Sequence, residues 1–458
     1  MKRNPDVFYS KYVIDGVRQD VTPADMLDEC MLPAENRVGE PEDDDLPEIW
    51  DEKLDVPPEN MEYSAEQIPL YIRKVTDDAP AAQDREFNVL YPESFARQRV
   101  AASLIDTLWL DGEFRLDDLR LWAEWGWDSE KVGNMAAFYD SVQSATEYIY
   151  DIGVEVQGYL YEDEKGECVN SYFTTLASYG DEADIEPSED LAEIEDVPDK
   201  DWEEDDAPDE ERLWTVGGSS DINIDENRDV WMGDTRKCSA RLVGGSAEKP
   251  SSDEAVPSSG QTFHSSDNAA PSSFQEFSSE ASAATVSGSF LIYVPFDTCS
   301  PRLGGSLLAK TLGCNGGAPL NIADPDYFID CYEVVRDLVS DGVVLSSRTV
   351  CDGGLAVAAE KLAAGSGLGI RLNVNGICAA CGETDIVKVL FAEVPGVLLQ
   401  IADDDSDYID SQFLLQDVAY YRVGRPDPSV VGVEVVPENN GIDRVLSALL
   451  NDASEGED

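Results

Sequence analysis

This sequence of 458 residues has one histidine, His264, and few basic side chains, with 32 Lys and Arg against 95 Asp and Glu. Because His264 lies in a serine-rich segment, histidine-based acid–base, triad and metal chemistry is nearly excluded for this chain taken alone. The formal net charge of -63 argues against nucleic acid as a partner, since phosphate backbones are bound by clustered Lys and Arg. We therefore expect no nucleic-acid function.

Long apolar runs are also missing from the sequence. No stretch approaches the length of a membrane span, and the opening MKRNPDVFYS is not followed by an apolar segment. We therefore expect a cytoplasmic protein with no membrane partner. Closely spaced carboxylates are screened in a salt-rich cytoplasm, so the charge also indicates a halophilic or salt-tolerant setting.

Cysteine is present, but mostly without a recognisable pattern. The nine cysteines are expected to be reduced thiols, and only Cys378 and Cys381 form a CxxC pair. A zinc site needs about four ligands, and no second CxxC or histidine pair completes one. Structural thiols are the preferred interpretation of this pair, and metal or redox chemistry is the alternative.

Composition divides the chain into segments. Residues 1–65 are acidic and rich in proline, which predicts a weakly ordered lead-in. An acidic tract at 181–212 and a serine-rich run at 243–287 are too polar to form a core, so we expect disordered inserts there. Helix and strand patterns alternate over 66–242 and 288–426, which predicts two modules of an α/β (α+β) protein.

Local patterns predict individual elements of these modules. QIPLYIRKV (67–75) predicts a strand, and YYRVG (420–424) an edge strand. A helix beginning near residue 134 is predicted to have Asn134 as its N-cap, and another has Asp324 as cap with Pro325 in its first turn. Residues 427–458 are expected to add a last strand and helix followed by an acidic tail.

Paired glycines stand on both sides of an alanine-rich helix pattern. Gly365, Gly367 and Gly369 follow that pattern and indicate a C-cap with a tight connection. Gly353 and Gly354 precede it at a strand-to-helix turn, where helix N–H groups can meet an anion. Phosphate binding and packing both stay open for this second pair.

Three stretches occur in a characteristic order: PRLGGSLLAKTLG (301–313), VCDGGLAVAAEKLAAGSGLGI (350–370) and VLFAEVPGVLLQI (389–401). Together they resemble the C-terminal domain of phosphoribosylformylglycinamidine synthase, or formylglycinamide ribonucleotide amidotransferase, in which the third stretch is a strand. Residues 99–156 and 233–242 resemble segments upstream of that domain. The resemblance implies N-type plus C-type modules with an aminoimidazole-ribonucleotide-synthetase-like fold.

The resemblance also implies a chemistry. In that family ATP activates an amide oxygen and ammonia from a glutaminase replaces it, which gives an amidine for purine synthesis. It implies Mg-ATP or Mg-ADP as cofactor and Asp352 as a Mg²⁺ or amide ligand. Glu393 is a candidate for orienting a loop at the end of a strand, although a solvated or salt-bridged carboxylate is the preferred interpretation. The implied phosphate-facing residues are Gly304, Gly305, Ser306, Gly353 and Gly354. The implied partner is a chain that carries the first synthetase half and a glutaminase.

Several positions depart from the family pattern. The family's lysine-bearing phosphate loop is replaced by QGYLYEDEKGE (157–167), whose acidic side chains repel phosphate unless cations intervene. Arg348 and Thr349 replace the usual histidine and aspartate, and Cys351 replaces a serine. No catalytic residue can be assigned, and two functions stay open: the second half of a split synthase, or a non-catalytic binding or scaffolding module.

Overall fold

The structure, a computed structural model, describes residues 2–3, 7–14, 16–33, 57–78, 90–110, 114–131, 133–163, 170–177, 237–243 and 288–436. The acidic tract at 181–212, the serine-rich run after residue 243 and the chain from residue 437 onwards lie outside these residues. The disorder predicted for the two inserts, and the module boundaries, therefore stay predictions.

Helices and strands are mixed along the described chain, which confirms the predicted α/β (α+β) class. In chain order they are β1 (Lys2–Arg3), β2 (Val13–Ile14), β3 (Val17–Arg18), α1 (Pro23–Cys30), α2 (Ile68–Asp78), α3 (Pro92–Asp106), β4 (Leu119–Trp127), α4 (Asn134–Ile152), β5 (Glu155–Asp163), β6 (Asn170–Ala177), β7 (Ser289–Pro295), α5 (Leu307–Thr311), α6 (Pro325–Ser340), β8 (Val344–Val350), α7 (Gly354–Ala363), β9 (Gly369–Leu372), α8 (Asn375–Cys381), α9 (Ile386–Phe391), β10 (Gly396–Ala402), α10 (Ser406–Leu415), β11 (Tyr421–Asp427) and β12 (Val433–Val435).

The first module is built on a four-stranded sheet with the order β1-β5-β4-β6. The central strands β4 and β5 are parallel and are joined through α4, whereas β6 is antiparallel to β4. Trp125 and Trp127 of β4 are fully buried beside Phe138 of α4, with ring centroids 6.1 and 5.8 Å from that phenylalanine ring. Aromatic side chains of this size contribute much of the area that a small module can bury.

Part of the predicted lead-in belongs to this module. Helix α1 begins with a capping box in which Thr22 and Asp25 satisfy each other's backbone N–H groups. Phe8 and Leu27 are buried, and the Phe8 ring lies 5.8 Å from the ring of Phe138. The prediction of weak order is therefore wrong for residues 7–14 and 16–33, because apolar side chains scattered among charged ones still reach the core.

The second module is a six-stranded sheet with the order β12-β9-β11-β7-β10-β8. All neighbouring strands are antiparallel except β12 and β9, which are parallel. Strand β11, which contains Tyr421 and Arg422, lies between β7 and β9. The prediction of an edge strand at 420–424 is therefore wrong, because β9 and β12 continue the sheet beyond it.

The prediction for residues 67–75 is also wrong. QIPLYIRKV was predicted as a strand for its β-branched and aromatic residues, but Ile68–Asp78 is a helix. Its buried side chains Ile68, Tyr71, Ile72 and Val75 recur at the spacing of one helix face. They pack with α5 and α7 of the second module, so tertiary packing decides the conformation.

The helix caps agree only in part with the predictions. Asp324 caps α6 by accepting from the N–H of Tyr327, with Pro325 at the first helical position, as predicted. The cap of α4 is instead Gly133, while the side-chain amide of Asn134 donates to the carbonyl of Asp128 at 3.1 Å. The stretch 389–401 is a strand only in part: residues 389–391 are the last turn of α9, and β10 begins at Gly396.

The two faces of the six-stranded sheet belong to different cores. Phe290, Ile292 and Val294 of β7 pack with α6 and with helices α3 and α4 of the first module. Leu291 and Tyr293, which alternate with them, pack with α2, α5, α7 and α9. The first module therefore packs on one face of the second module's sheet. None of the described helices is long and apolar enough to cross a membrane.

Candidate functional site

The turn between β8 and α7 contains three residues of the predicted site, Asp352, Gly353 and Gly354. Both glycines have positive φ angles, 78° and 68°, and the N–H of Gly354 donates to the carbonyl of Cys351 at 2.8 Å. A Cβ on Gly354 would lie only 2.6 Å from the carbonyl oxygen of Ala392. The close approach of two backbone segments therefore requires glycine here.

The second predicted group precedes α5. The N–H of Gly304 donates to the carbonyl of Ala318 at 3.0 Å, and Gly305 has a φ of 77° beside the ring of Tyr91. Ser306 is the N-cap of α5 and its side chain accepts from the N–H of Ala309 at 3.2 Å. Each residue thus shapes the start of this short helix.

Glu393 joins the two turns. Its Oε1 atom accepts from the N–H of Leu307 and from the N–H of Gly353, each at 2.8 Å. The residue is only 1 % exposed, and its own carbonyl accepts from Nε2 of Gln98 on α3 at 2.8 Å. The preferred interpretation was a solvated or salt-bridged carboxylate, and its solvated form is wrong, because the chain buries Glu393 against backbone donors.

Asp352 lies against a cation of the first module. Its Oδ2 atom is 3.4 Å from Nη1 of Arg99, and the two side chains are 15 % and 13 % exposed. The guanidinium carbon of Arg99 lies 4.9 Å from the centroid of the Phe95 ring. No group of three or more His, Cys, Asp or Glu in the described residues could hold a metal ion. The Asp352 carboxylate is thus paired with Arg99, and this pairing does not favour a magnesium ion at Asp352.

A cleft lies where α3 meets the second module. It has about 280 Å³ of space including its open mouth, but its enclosed part has room for only about one water molecule. Its polar and charged lining combines Arg302 with hydroxyl, amide and carboxylate groups and with apolar rings. The lining residues are Tyr91, Ser94, Phe95, Gln98, Arg302, Gly304, Gly305, Ser306, Leu320 and Glu393.

Of the predicted site residues, Gly304, Gly305 and Ser306 line this cleft. Gly353 is connected to it only through Glu393. Tyr91 also lines the cleft, with its ring beside Gly305, and donates its hydroxyl to the carbonyl of Gly317 at 3.0 Å. Partial burial, together with the negative charge of Glu59, raises the pKa of the Tyr91 phenol. The lining of the cleft thus combines one cation, Arg302, with neutral donors and the Glu393 carboxylate.

Residues at positions that depart from the family pattern form hydrogen bonds within the fold. Thr349 donates its hydroxyl to Oδ1 of Asp106 at 2.5 Å and accepts from Nε1 of Trp109 at 2.9 Å. Both partners lie in the first module, so Thr349 connects the modules. In the acidic segment, Glu162 and Asp163 are the last residues of β5, and Asp163 accepts from Oγ of Ser129 at 2.8 Å.

Sequence reasoning did not find the residues that α3 contributes, Gln98 and Arg99. The available signal was three consecutive long polar side chains, Arg97, Gln98 and Arg99, between Ala96 and Val100, which are both buried. Such side chains on an otherwise buried helix need partners elsewhere in the fold. The partners of Gln98 and Arg99 are Glu393 and Asp352, which lie more than 250 residues along the chain.

The CxxC pair lies on α8, and neither cysteine lines the cleft. Cys378 is half-buried and Cys381 is exposed, and partial burial raises the pKa of both thiols. Carboxylates of Glu383 and Asp385 raise the pKa of Cys378 further, because they disfavour a thiolate. A raised pKa disfavours nucleophilic and redox chemistry, so structural thiols stay the preferred interpretation.

Comparison with known protein families gives a match within the second module. Residues 288–428 match the family described as AIR synthase related protein, C-terminal domain. The human phosphoribosylformylglycinamidine synthase is 29 % identical over 115 residues, which are 25 % of this chain and 8 % of that protein. The Drosophila melanogaster synthase is 28 % identical over 149 residues, which are 31 % of this chain and 11 % of that protein.

The chain therefore matches only a small part of the length of these relatives. Among solved structures, phosphoribosylformylglycinamidine synthase II from Thermotoga maritima has a TM-score of 0.42 at 11 % identity, with 77 % of this chain and 40 % of that chain covered. The family match begins at β7 and ends after β11, so it includes both glycine turns and Glu393. Residues 288–428 thus match an AIR synthase related C-terminal domain, and the resemblance predicted from three stretches of sequence is confirmed: this chain is similar to phosphoribosylformylglycinamidine synthase over part of its length.

Proposed function

We propose that this chain acts in purine biosynthesis as the second half of a divided phosphoribosylformylglycinamidine synthase. The observation that carries the proposal is the family match of residues 288–428, whose two glycine turns meet beside a cleft closed by helix α3 of the first module. The reaction, an ATP-dependent replacement of an amide oxygen by ammonia, belongs to the assembled enzyme. A partner chain that carries the first synthetase half and a glutaminase supplies the remaining parts of that enzyme.

We further propose that the cleft binds a phosphate-bearing ligand, with ATP or ADP as the nucleotide. Arg302 and the Ser306 hydroxyl are the groups in the lining that suit a phosphate, and Tyr91 and Phe95 offer ring surfaces. Because the enclosed space is small, the ligand lies largely in the open mouth or widens the cleft on binding. Magnesium stays outside this proposal, since Asp352 faces Arg99.

The test is reconstitution. The chain is combined, in high KCl, with a partner that carries the first synthetase half and a glutaminase, and amidine formation from formylglycinamide ribonucleotide is followed with ATP and glutamine. We expect a stable complex and turnover that falls at least tenfold with Arg302→Met, since this change removes the cleft's cationic donor. Arg371→Met, an exposed arginine in β9, is the matched control. Full turnover without this chain contradicts the proposal.

A second candidate, a non-catalytic binding or scaffolding module, is favoured by one observation. Glu393 accepts the N–H groups of Gly353 and Leu307, so those amides serve the fold and do not face a ligand. This candidate predicts a complex with the same partner and unchanged turnover when Arg302 is replaced. The two candidates thus differ in the response to one substitution. The cytoplasmic location and salt tolerance expected from the sequence stay predictions.

A further inference from the structure

One carboxylate oxygen connects two turns that are distant in sequence. Leu307 begins α5 and Gly353 precedes α7, and both donate their N–H groups to Oε1 of Glu393 at 2.8 Å. Hydrogen bonds to an ionised acceptor are roughly twice as strong as those between neutral groups. Since Glu393 is 1 % exposed, bulk water does not compete for these donors.

The backbone of the same residue is fixed from the first module. The carbonyl of Glu393 accepts from Nε2 of Gln98, which is 5 % exposed and lies on α3. The neighbouring residue Ala392 packs its carbonyl against Gly354. Residue 393 therefore meets three segments at one point: helix α3, the turn before α5 and the turn before α7.

These segments include two walls of the cleft. Gln98, Ser306 and Glu393 all line it, and Gly304 and Gly305 belong to the same turn as Ser306. A turn that contains glycines with positive φ is intrinsically permissive, so an outside anchor is needed to hold it in one arrangement. Glu393 supplies that anchor for both turns.

We propose that Glu393 is the positioning residue of the cleft: its carboxylate holds the turns before α5 and α7 in one fixed arrangement, and a ligand in the cleft is bound by the turns in that arrangement. The first part stands on the contacts alone. The second part rests on the proposed function, because it needs a ligand of the cleft.

Amide hydrogen exchange tests the first part. Glu393→Ala removes the shared acceptor, and Glu393→Gln keeps an acceptor oxygen without the charge. We expect the amides of Leu307 and Gly353 to exchange at least about tenfold faster in Glu393→Ala, and protection to be largely restored in Glu393→Gln. Gln400→Ala is the matched control, because Gln400 is buried and hydrogen-bonded to Val243, Ser289 and Ser346 in another part of the sheet.

In that control the two turn amides should keep their wild-type protection. Unchanged exchange of both amides in a folded Glu393→Ala protein overturns the proposal. Equal loss in Gln400→Ala also overturns it, since the effect would then report general destabilisation. If Glu393→Ala does not fold, Glu393→Asp, which withdraws the carboxylate by one methylene group, takes its place: faster exchange confined to the two turn amides supports the proposal, and wild-type exchange of both amides overturns it.

Binding of ADP tests the second part, with the dissociation constant measured for the same variants. We expect affinity to fall at least about tenfold in Glu393→Ala and to be mostly rescued in Glu393→Gln, while Gln400→Ala leaves it unchanged. Equal affinity in wild type and Glu393→Ala overturns the positioning role. Absence of ADP binding to the wild type instead contradicts the proposed ligand, and hydrogen exchange still decides the anchoring role.

Discussion

The ion pair between Arg99 and Asp352 allows a quantitative test of how the two modules are joined. At 3.4 Å, two unit charges attract by about 5 kcal/mol if the effective dielectric constant is roughly 20. Desolvation offsets much of this attraction. The side chains are 13 % and 15 % exposed, so the pair lies between exposed pairs, worth about 0.2–1 kcal/mol, and fully buried ones. We expect a net coupling of about 2 kcal/mol.

A double-mutant cycle measures this coupling. Arg99→Met, Asp352→Asn and the double variant are unfolded by urea at fixed KCl, and the coupling is the departure of their free energies of unfolding from additivity. Each single variant should lose about 2–3 kcal/mol, because one charge stays in a largely buried place. Added KCl should reduce the coupling only slightly, since the pair is shielded from solvent.

Additivity within about 0.5 kcal/mol would refute this reasoning, because it would show that the two charges do not stabilise each other.

The response of the melting temperature to magnesium is an independent test of the role of Asp352. If this carboxylate were a metal ligand, Mg²⁺ would raise the melting temperature of the wild type and not of Asp352→Asn. We expect the same melting temperature with and without Mg²⁺ for both proteins.

Three further predictions concern packing, glycine and thiols. Ile72→Ala in α2 should lower the free energy of unfolding by about 2–5 kcal/mol in urea; a loss below 1 kcal/mol would argue against the packing of α2 on the second module. Gly354→Ala should lower the free energy of unfolding by about 3 kcal/mol or more. Gly367 has a φ of 75° and no atom within 4 Å of an added Cβ, so Gly367→Ala should lower it by only about 1–2 kcal/mol. Equal losses of stability would contradict the close approach described for Gly354. Because the pKa of its thiol is raised, Cys381 should react with iodoacetamide more slowly than free cysteine at pH 8, and its reaction should become faster at higher pH. The buried Cys30 should not react until the protein unfolds. Alkylation is followed by mass spectrometry, and a Cys381 that reacts faster than free cysteine would contradict this prediction.

Much of the second module could be predicted from sequence because its signals are local. Asp324 and Pro325 predict the start of α6, and the glycines at 353 and 354 indicate a turn whose φ angles exclude most side chains. The order of three short stretches then indicated the family. Local steric rules, which depend on neighbouring residues only, were enough for these elements.

The errors arose where distant partners decide the structure. α2 has strand-like composition, yet its buried face is set by packing on α5 and α7. β11 looked like an edge strand because nothing in YYRVG shows that β9 and β12 lie beyond it. Likewise, no local pattern shows that Glu393 is buried. That position depends on amide donors from two turns, at residues 307 and 353.

The most direct test of the account is a calorimetric titration of ADP and ATP into the folded chain in high KCl, with and without Mg²⁺. We expect saturable binding of one nucleotide per chain, weakened at least tenfold by Arg302→Met and independent of Asp352→Asn, because the cation of the cleft is Arg302 and Asp352 is held by Arg99. Absence of binding in a folded sample, or binding that survives Arg302→Met, would contradict it.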